Sequence, residues 1–244
     1  METNKVNFFS NKNWLNSESD SKPKPIIKTI PEWYRKMDRF AKNPITKDFF
    51  IGEDKGKIPT WKACPAIFDI MGTGYTYVTP CDLNFFIDKN NKIAVEVEDK
   101  KYINFCSARP KMDGFVTPIG YRDEHFAWFP DWAMRLPEGY SAIYSQPFNR
   151  FELPFLTTSG IIDNDKIDLP GTMPFFISKE FVGIIPKGTP FVQIIPFKRE
   201  NWESEITTFT LLEIMKRNKE NTDKYRKPDG GIYKNEVWEP RKYS

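Results

Sequence analysis

The stretch that most constrains the fold of this chain covers residues 140–199. Its apolar runs are short and are separated by proline, glycine, asparagine and aspartate, a pattern typical of strands joined by tight turns. The sequence therefore predicts a continuous antiparallel β unit with no long helix inside it. The predicted strands cover residues 141–144, 155–162, 173–177, 183–185 and 191–197.

An acidic pair follows one of these strands, in the sequence Gly160-Ile161-Ile162-Asp163-Asn164-Asp165. Because alternate side chains of an extended chain share a face, Asp163 and Asp165 are expected to point the same way. One interpretation is an Asx-rich turn, since Asp and Asn hydrogen-bond their own backbone. The other is a site in which a bound cation, or a cationic side chain such as Arg150, relieves the repulsion between the two carboxylates.

The order of these elements resembles the dUTPase and dCTP-deaminase family, in which a GxIDxDY hairpin precedes an xxGxxxAQxI segment. The second motif stands here as IPKGTPFVQII, at residues 185–195. The resemblance implies a β-clip fold and places Asp163 where the family has its water-activating acid. In such a metal-assisted nucleotide hydrolase, Asp165 would orient sugar or magnesium, Arg150 would hold phosphate and Gln193 would brace the site.

Three departures from that family weaken the implied activity. Lys166 stands where the family has a substrate-stacking tyrosine, and Phe148-Asn149-Arg150 is the nearest approximation to its Pro-Arg-Ser-Ser phosphate motif. Residues 227–231, KPDGG, do not supply the glycine-rich arm that closes over a triphosphate. Asp163 and Asp165 are therefore candidate catalytic residues, and Asn149, Arg150 and Gln193 are candidate ligand-binding residues.

The same segment resembles more closely a family of uncharacterised proteins of marine tailed phages and bacteria. The matching motifs are PFNRFELPF at 147–155, TTSGIIDND at 157–165 and IPKGTPFVQIIPF at 185–197. The nucleotide-binding motifs are incomplete, and the segments at both ends of the chain contain aromatic residues. Together with these two features, the resemblance favours a non-enzymatic β-clip protein. It would be a virion component or an accessory binding module, found in the virion or the host cytoplasm. Its expected partners are itself or other virion proteins.

Composition narrows the classes of partner and cofactor. The formal net charge of +3 is too small to indicate a nucleic-acid footprint, and no apolar run approaches the roughly 18 residues that a membrane span needs. A soluble protein is expected, with neither membrane nor nucleic acid as partner. His125 is the only histidine and has no neighbouring Cys, so a structural or solvent-facing role is predicted instead of a metal site. No cofactor is predicted, except Mg²⁺ for the hydrolase alternative.

The remaining segments complete a prediction of a mainly β, single-domain fold with a few short helices and extended termini. Residues 1–25 are expected to form an extended arm whose removal leaves the melting temperature nearly unchanged. Residues 26–203 form the β-rich domain, with its core β unit at 132–199, and residues 204–244 form a C-terminal helix and tail. Further expected elements are helices at 31–40, 62–71 and 205–218 (the last capped by Ser204), strands at 75–79, 83–87 and 93–97, a pairing of 132–136 with 140–144, and an edge strand or arm at 232–244.

Overall fold

The computed structural model describes residues 4–41, 58–111, 113–225 and 233–244. The fold is mainly antiparallel β with a few short helices, which confirms the predicted fold class. Residues 227–231, which were compared with a glycine-rich arm, lie outside the described residues, as do 226 and 232 of the predicted C-terminal segment.

The first half of the chain contains β1 (Asn7–Phe9), β2 (Lys24–Pro25), β3 (Phe40–Ala41), β4 (Ile58–Pro59), β5 (Tyr75–Val78), β6 (Leu83–Ile87), β7 (Ile93–Val97) and β8 (Cys106–Arg109). The second half contains β9 (Tyr121–Trp128), β10 (Ala133–Arg135), β11 (Tyr140–Ser145), β12 (Phe155–Thr157), β13 (Gly160–Ile162), β14 (Met173–Ser178), β15 (Gly183–Ile185) and β16 (Pro190–Lys198). The α-helices are α1 (Glu32–Lys36), α2 (Pro65–Gly72) and α3 (Leu211–Tyr225). Shorter turns of 3-10 helix lie at Ile26–Thr29, Trp61–Ala63 and Lys100–Tyr102, and one π-helical turn lies at Tyr233–Val237.

By its internal packing the chain divides into two compact units. Unit 1 comprises Met1–Thr29, Gly74–Arg199 and Tyr243–Ser244. Unit 2 comprises Ile30–Thr73 and Glu200–Lys242. Both units are therefore built from segments that are distant in the sequence.

Unit 1 contains the main sheets. Its central sheet has the strand order β13-β11-β16-β5-β2, so β16 lies between β11 and β5. Two further sheets have the orders β12-β14-β9-β8 and β15-β6-β7, and β1 pairs with β10. All of these pairings are antiparallel.

The strands predicted within residues 140–199 are present, and no helix interrupts them. They do not form one continuous unit, however, because they are shared among all three of these sheets. The predicted strand 155–162 is divided into β12 and β13, which lie in different sheets. The predicted pairing of 132–136 with 140–144 is wrong, since β10 pairs with β1 whereas β11 pairs with β13 and β16.

The core of unit 1 is built around aromatic side chains. The rings of Trp128 and Phe175 are stacked with centroids 3.7 Å apart, and Phe155 and Phe191 pack against Trp128. Trp128 Nε1 donates a hydrogen bond of 3.0 Å to Thr157 Oγ1, so the indole N–H is satisfied inside the core. Trp128 is therefore a central side chain of this core.

The N-terminal residues contribute to this core. Leu15 belongs to the buried cluster of unit 1, and Phe8 packs against it with its ring edge on Tyr75 and Tyr77. Strand β2 forms one edge of the central sheet, and β1 forms a two-stranded sheet with β10. The structure thus reverses the expected effect of removing residues 1–25, because their loss would expose apolar core surface and lower the melting temperature.

Unit 2 holds the α-helices. Helix α2 has Pro65 in its first turn and ends at Gly72, close to its predicted bounds, whereas α1 is shorter than predicted. Helix α3 begins at Leu211, six residues later than predicted, because Thr210 and Glu213 form the capping box and Ser204 does not cap it. The described part of the tail, 233–244, contains the π-helical turn and no strand.

Candidate functional site

The acidic pair lies in a tight turn at the end of β13. The backbone N–H groups of Lys166 and Ile167 both donate to Asp163 O, at 2.9 Å. This turn does not connect a hairpin, because β13 and the following strand β14 belong to different sheets. The turn that the sequence predicts here is therefore present, and backbone hydrogen bonds close it.

Both carboxylates face one cation, Arg199, which follows β16. Arg199 Nη1 lies 2.9 Å from Asp165 Oδ1 and 3.4 Å from Asp163 Oδ1, and Nη2 also donates to Asp165 Oδ2. The sheet register explains this meeting, since β11 lies between β13 and β16 and pairs with both. The cation that relieves the repulsion is thus Arg199, and the expectation that Arg150 would do so is wrong.

Asp165 is the more enclosed of the two acids. Its side chain is 3% exposed and accepts a further hydrogen bond of 2.9 Å from the backbone N–H of Gly139. The hydrogen bond from the Arg199 guanidinium holds the pKa of Asp165 well below its usual range, although burial alone would raise that pKa. Asp165 is therefore a fixed anion and a poor proton acceptor.

Asp163 is more open, with its side chain 43% exposed, but its Oδ1 is also engaged. Ser141 Oγ donates to Asp163 Oδ1 at 2.6 Å, and Arg199 Nη1 donates to Ser141 Oγ at 3.0 Å. Arg199 Nη1 also donates to the carbonyl of Tyr140, at 3.0 Å. We call Asp163, Asp165, Ser141 and Arg199 the aspartate cluster.

Asn164, between the two acids, is the residue that sequence reasoning missed. Its side chain is 1% exposed, and its Oδ1 accepts a hydrogen bond of 3.2 Å from the hydroxyl of Tyr144. Its Nδ2 donates to Met134 O at 3.3 Å, and its own carbonyl accepts from Leu136 N at 3.2 Å. Asn164 therefore anchors the turn to the core. The sequence did not indicate this role, because Asn164 lies in a motif rich in Asn and Asp that is typical of an exposed turn.

The three candidate ligand-binding residues lie away from the aspartate cluster, with Gln193 in β16 and both Asn149 and Arg150 in the turn that follows β11. Gln193 is buried opposite Ser145, and its Oε1 accepts a hydrogen bond of 3.0 Å from Phe148 N. Asn149 has a left-handed backbone with φ of 57°. Ser145 lies four residues along β11 from Ser141, which is roughly 13 Å in a strand.

Arg150 is committed to contacts within unit 1. Its Nη1 donates to Thr29 O at 2.9 Å, and its Nε forms an ion pair with Glu152. The structure thus brings together Asp163 and Asp165 with Arg199, but it does not bring Asn149, Arg150 and Gln193 to the same place.

His125 has a structural environment, one of the two roles predicted for it. It is 4% exposed, and its ring stacks on Phe115 with centroids 5.8 Å apart. Burial lowers the pKa of His125, and the positive charge of Arg109, opposite it in β8, lowers it further. The imidazole is therefore held neutral at pH 7.

No protein-family model matches the chain, and a search of curated proteins finds no relative. Among the described residues, His, Cys, Asp and Glu side chains form no group of three that could hold a metal ion. In the same residues, no helix has both the length and the apolar character needed to cross a bilayer.

Proposed function

We propose that this protein acts by binding and not by catalysis, as a component of a phage virion or as an accessory binding module. The proposal rests on the contacts that Asp163 and Asp165 already make within the chain. Arg199, Ser141 and the Gly139 amide already satisfy the carboxylates that resemble a hydrolytic motif. The pair therefore behaves as part of the framework of unit 1.

A water-activating carboxylate must accept a proton beside its substrate, with a pKa near the working pH. Asp163, which stands in the water-activating position, already has its Oδ1 in contact with the Ser141 hydroxyl and the Arg199 guanidinium. Asp165, which would orient sugar or magnesium, is ion-paired with Arg199. The side chain assigned to phosphate, Arg150, is ion-paired with Glu152 and lies in the turn that follows β11. These contacts favour binding over the alternative, a metal-assisted deoxynucleotide hydrolase.

The enzymatic alternative is tested with a panel of deoxynucleoside triphosphates and Mg²⁺. We expect no release of phosphate or pyrophosphate by the wild-type chain. Turnover that disappears in Asp163→Asn would overturn the proposal, because that substitution keeps the hydrogen-bond acceptor and removes only the charge.

Exposed apolar side chains in unit 2 supply a surface for assembly. At the start of helix α3, Leu211 and Met215 lie one turn apart and are 74% and 62% exposed. Trp202 and Ile206, in the extended segment that precedes α3, are also exposed. We propose a second copy of the chain as the partner of this surface, in keeping with the assembly role that the phage resemblance implies.

Self-association is measured by sedimentation velocity of the full chain over a range of concentrations. We expect a concentration-dependent oligomer that dissociates in the double variant Leu211→Glu, Met215→Glu. The control is Lys216→Glu, which makes the same change in net charge outside this apolar face. A wild-type chain that stays monomeric at all concentrations would overturn self-assembly.

The virion version is tested by mass spectrometry of purified phage particles. Recovery of the protein in stoichiometric amounts supports a structural role. Its absence from the particles would overturn the virion role and leave the accessory binding module.

A further inference from the structure

A second charged region lies in unit 1, away from the aspartate cluster. It is an open cleft with a volume of about 750 Å³, formed where β7 begins, β8 ends and β9 begins. We call it the basic cleft. Its charged lining residues are Lys92, Arg109, Lys111, Arg122, Asp123, Glu124 and Lys179.

The basic cleft has more cations than carboxylates. Five Lys or Arg side chains face two acids, a surplus as large as the formal net charge of the whole chain, +3. Over the described ranges, no ion pair joins any of the five to a carboxylate. The basic cleft therefore keeps an excess of positive charge that the protein does not fully neutralise.

Arg122 provides an independent indication of a missing acceptor. Its Nη2 donates to the backbone carbonyl of Lys179 at 2.6 Å, which fixes the guanidinium beside the cleft. Its Nε is buried and has no hydrogen-bond partner among the described residues. A buried N–H without a partner is destabilising, which marks Arg122 as a side chain whose donors the chain does not fully satisfy.

The size and chemistry of the cleft indicate the ligand class. Its volume is within the range of about 300–1,000 Å³ that is usual for small-ligand sites. Guanidinium groups bind phosphate oxygens through paired N–H donors, and lysines add point charges. Outside the cleft, the cations and carboxylates of the sequence are equal in number, so the net charge of the chain gives no reason to favour an extended polyanion over a small one.

We propose that the basic cleft binds a small ligand that carries two or more linked phosphate groups. Arg122 supplies the fixed guanidinium, and Arg109 and Lys111 supply exposed charges at the end of β8. Binding would neutralise charge that unit 1 leaves unpaired. This site is separate from the aspartate cluster and does not require any catalytic activity.

The test is isothermal titration of the full chain with inorganic tripolyphosphate, with pyrophosphate and orthophosphate in parallel. We expect one bound tripolyphosphate per chain, with affinity that increases with the number of phosphates and decreases with added salt. No heat of binding for tripolyphosphate at millimolar concentration would overturn the proposal.

The site is located with two charge-matched variants. Arg109→Gln with Lys111→Gln removes two exposed cations of the cleft and is expected to weaken binding roughly tenfold or more, as loss of charge-assisted contacts does. Lys100→Gln with Lys101→Gln removes two cations from the short 3-10 helix, outside the cleft, and is expected to leave affinity within about twofold. Equal weakening by both variants would mean diffuse attraction and overturn a defined site.

Arg122→Gln tests the buried donor, with a thermal melt to verify folding. We expect a larger loss of affinity than either exposed cation causes alone. If Arg122→Gln does not fold, the affinity of the double variant Arg109→Gln with Lys111→Gln for tripolyphosphate tests the site.

Two further titrations identify which kind of molecule carries the phosphates. Tighter binding of a nucleoside triphosphate than of tripolyphosphate would show that the ligand includes a nucleoside. Preferential binding of a single-stranded oligonucleotide would overturn the small-ligand proposal in favour of a nucleic acid.

Discussion

The aspartate cluster and the basic cleft are both rich in charge, but they differ in how that charge is compensated. In the aspartate cluster, two carboxylates meet Arg199, a serine hydroxyl and a backbone amide. In the basic cleft, five cations meet two carboxylates and form no ion pair within the described ranges. The fold therefore compensates its own charges in the aspartate cluster and leaves a surplus of cations in the basic cleft.

The physical basis of this difference is electrostatic. A charge that is compensated within the fold stabilises the native state and attracts a charged ligand only weakly. Like charges held together without a counter-charge destabilise the native state until an ion binds. Substitutions in the aspartate cluster should therefore change stability, and substitutions in the basic cleft should change binding.

The largest effect is expected from Arg199→Gln, which turns the compensated cluster into an uncompensated one. Asp165 would remain enclosed with only the Gly139 amide as a partner, so the free energy of unfolding should fall more than in any variant below. Urea unfolding at pH 7 measures this fall. The control is Arg135→Gln, which breaks the exposed ion pair with Asp168 and should have a small effect.

The pH dependence of that variant gives a second measurement. The Asp165 pKa is lowered in the folded wild type, so the stabilisation is present above the unfolded value of about 3.9 and is lost as the pH falls through the folded value. The difference in stability between wild type and Arg199→Gln should therefore narrow in acid. A difference that stays constant with pH would contradict the assigned role of the ion pair.

Asn164→Ala tests the anchoring of the cluster without changing its charge. It leaves the Tyr144 hydroxyl and the Met134 carbonyl without their partner in the core, which should cost about 2 kcal/mol of unfolding free energy. Chemical denaturation gives the value directly. Asn84→Ala, at an exposed position of β6, serves as the control, and an equal loss in both variants would contradict the anchoring role.

Asp163→Asn should have a smaller effect, below about 1 kcal/mol. The amide oxygen can still accept the hydrogen bond from Ser141, and only a half-exposed ion pair with Arg199 is lost. Thermal and urea unfolding measure the change. A loss greater than about 2 kcal/mol would mean that the charge of Asp163 is itself part of a buried network.

The smallest energetic effect is expected at His125, which reports on the basic cleft. Arg109 contributes to the lowered pKa of His125, so Arg109→Gln should raise that pKa, and tripolyphosphate bound beside Arg109 should raise it too. Because this is the only histidine, its imidazole NMR signals can be followed through a pH titration. An unchanged pKa in both experiments would argue against an anion beside Arg109.

His125 also gives wild-type stability a defined pH dependence. Because its folded pKa is lowered, the neutral imidazole stabilises the fold above the unfolded value of about 6.5. That contribution is lost as the pH falls from there through the folded pKa. Replacing His125 with Leu should flatten this part of the stability curve.

Local pattern was enough to predict several elements. The strands Leu83–Ile87 and Ile93–Val97 have their predicted bounds because alternation of apolar and polar residues acts within a few positions. Helix α2 was signalled by Pro65 at its start and by glycine at its end. For α3, the residues that cap the helix are Thr210 and Glu213, and the prediction of a cap at Ser204 is wrong.

Long-range pairing was not predictable in the same way. Nothing local to residues 132–136 indicates that β10 pairs with β1, more than a hundred residues earlier in the chain. The same limit applied to the candidate site, since Arg199 meets Asp165 only through the register of β11 with two other strands. Arg150 is closer in sequence to the acidic pair, but the cation that contacts the two carboxylates is Arg199.

The position of β16 in the central sheet also has a consequence for the order in which the protein can be made. During synthesis, β5 and β11 leave the ribosome well before residues 190–198, yet β16 is the strand that joins them. Until β16 emerges, the two halves of the central sheet have no shared partner and their apolar faces stay uncovered. Nearly two hundred residues must therefore be synthesised before the central sheet can form. Folding that is limited by pairing between such distant segments is slow.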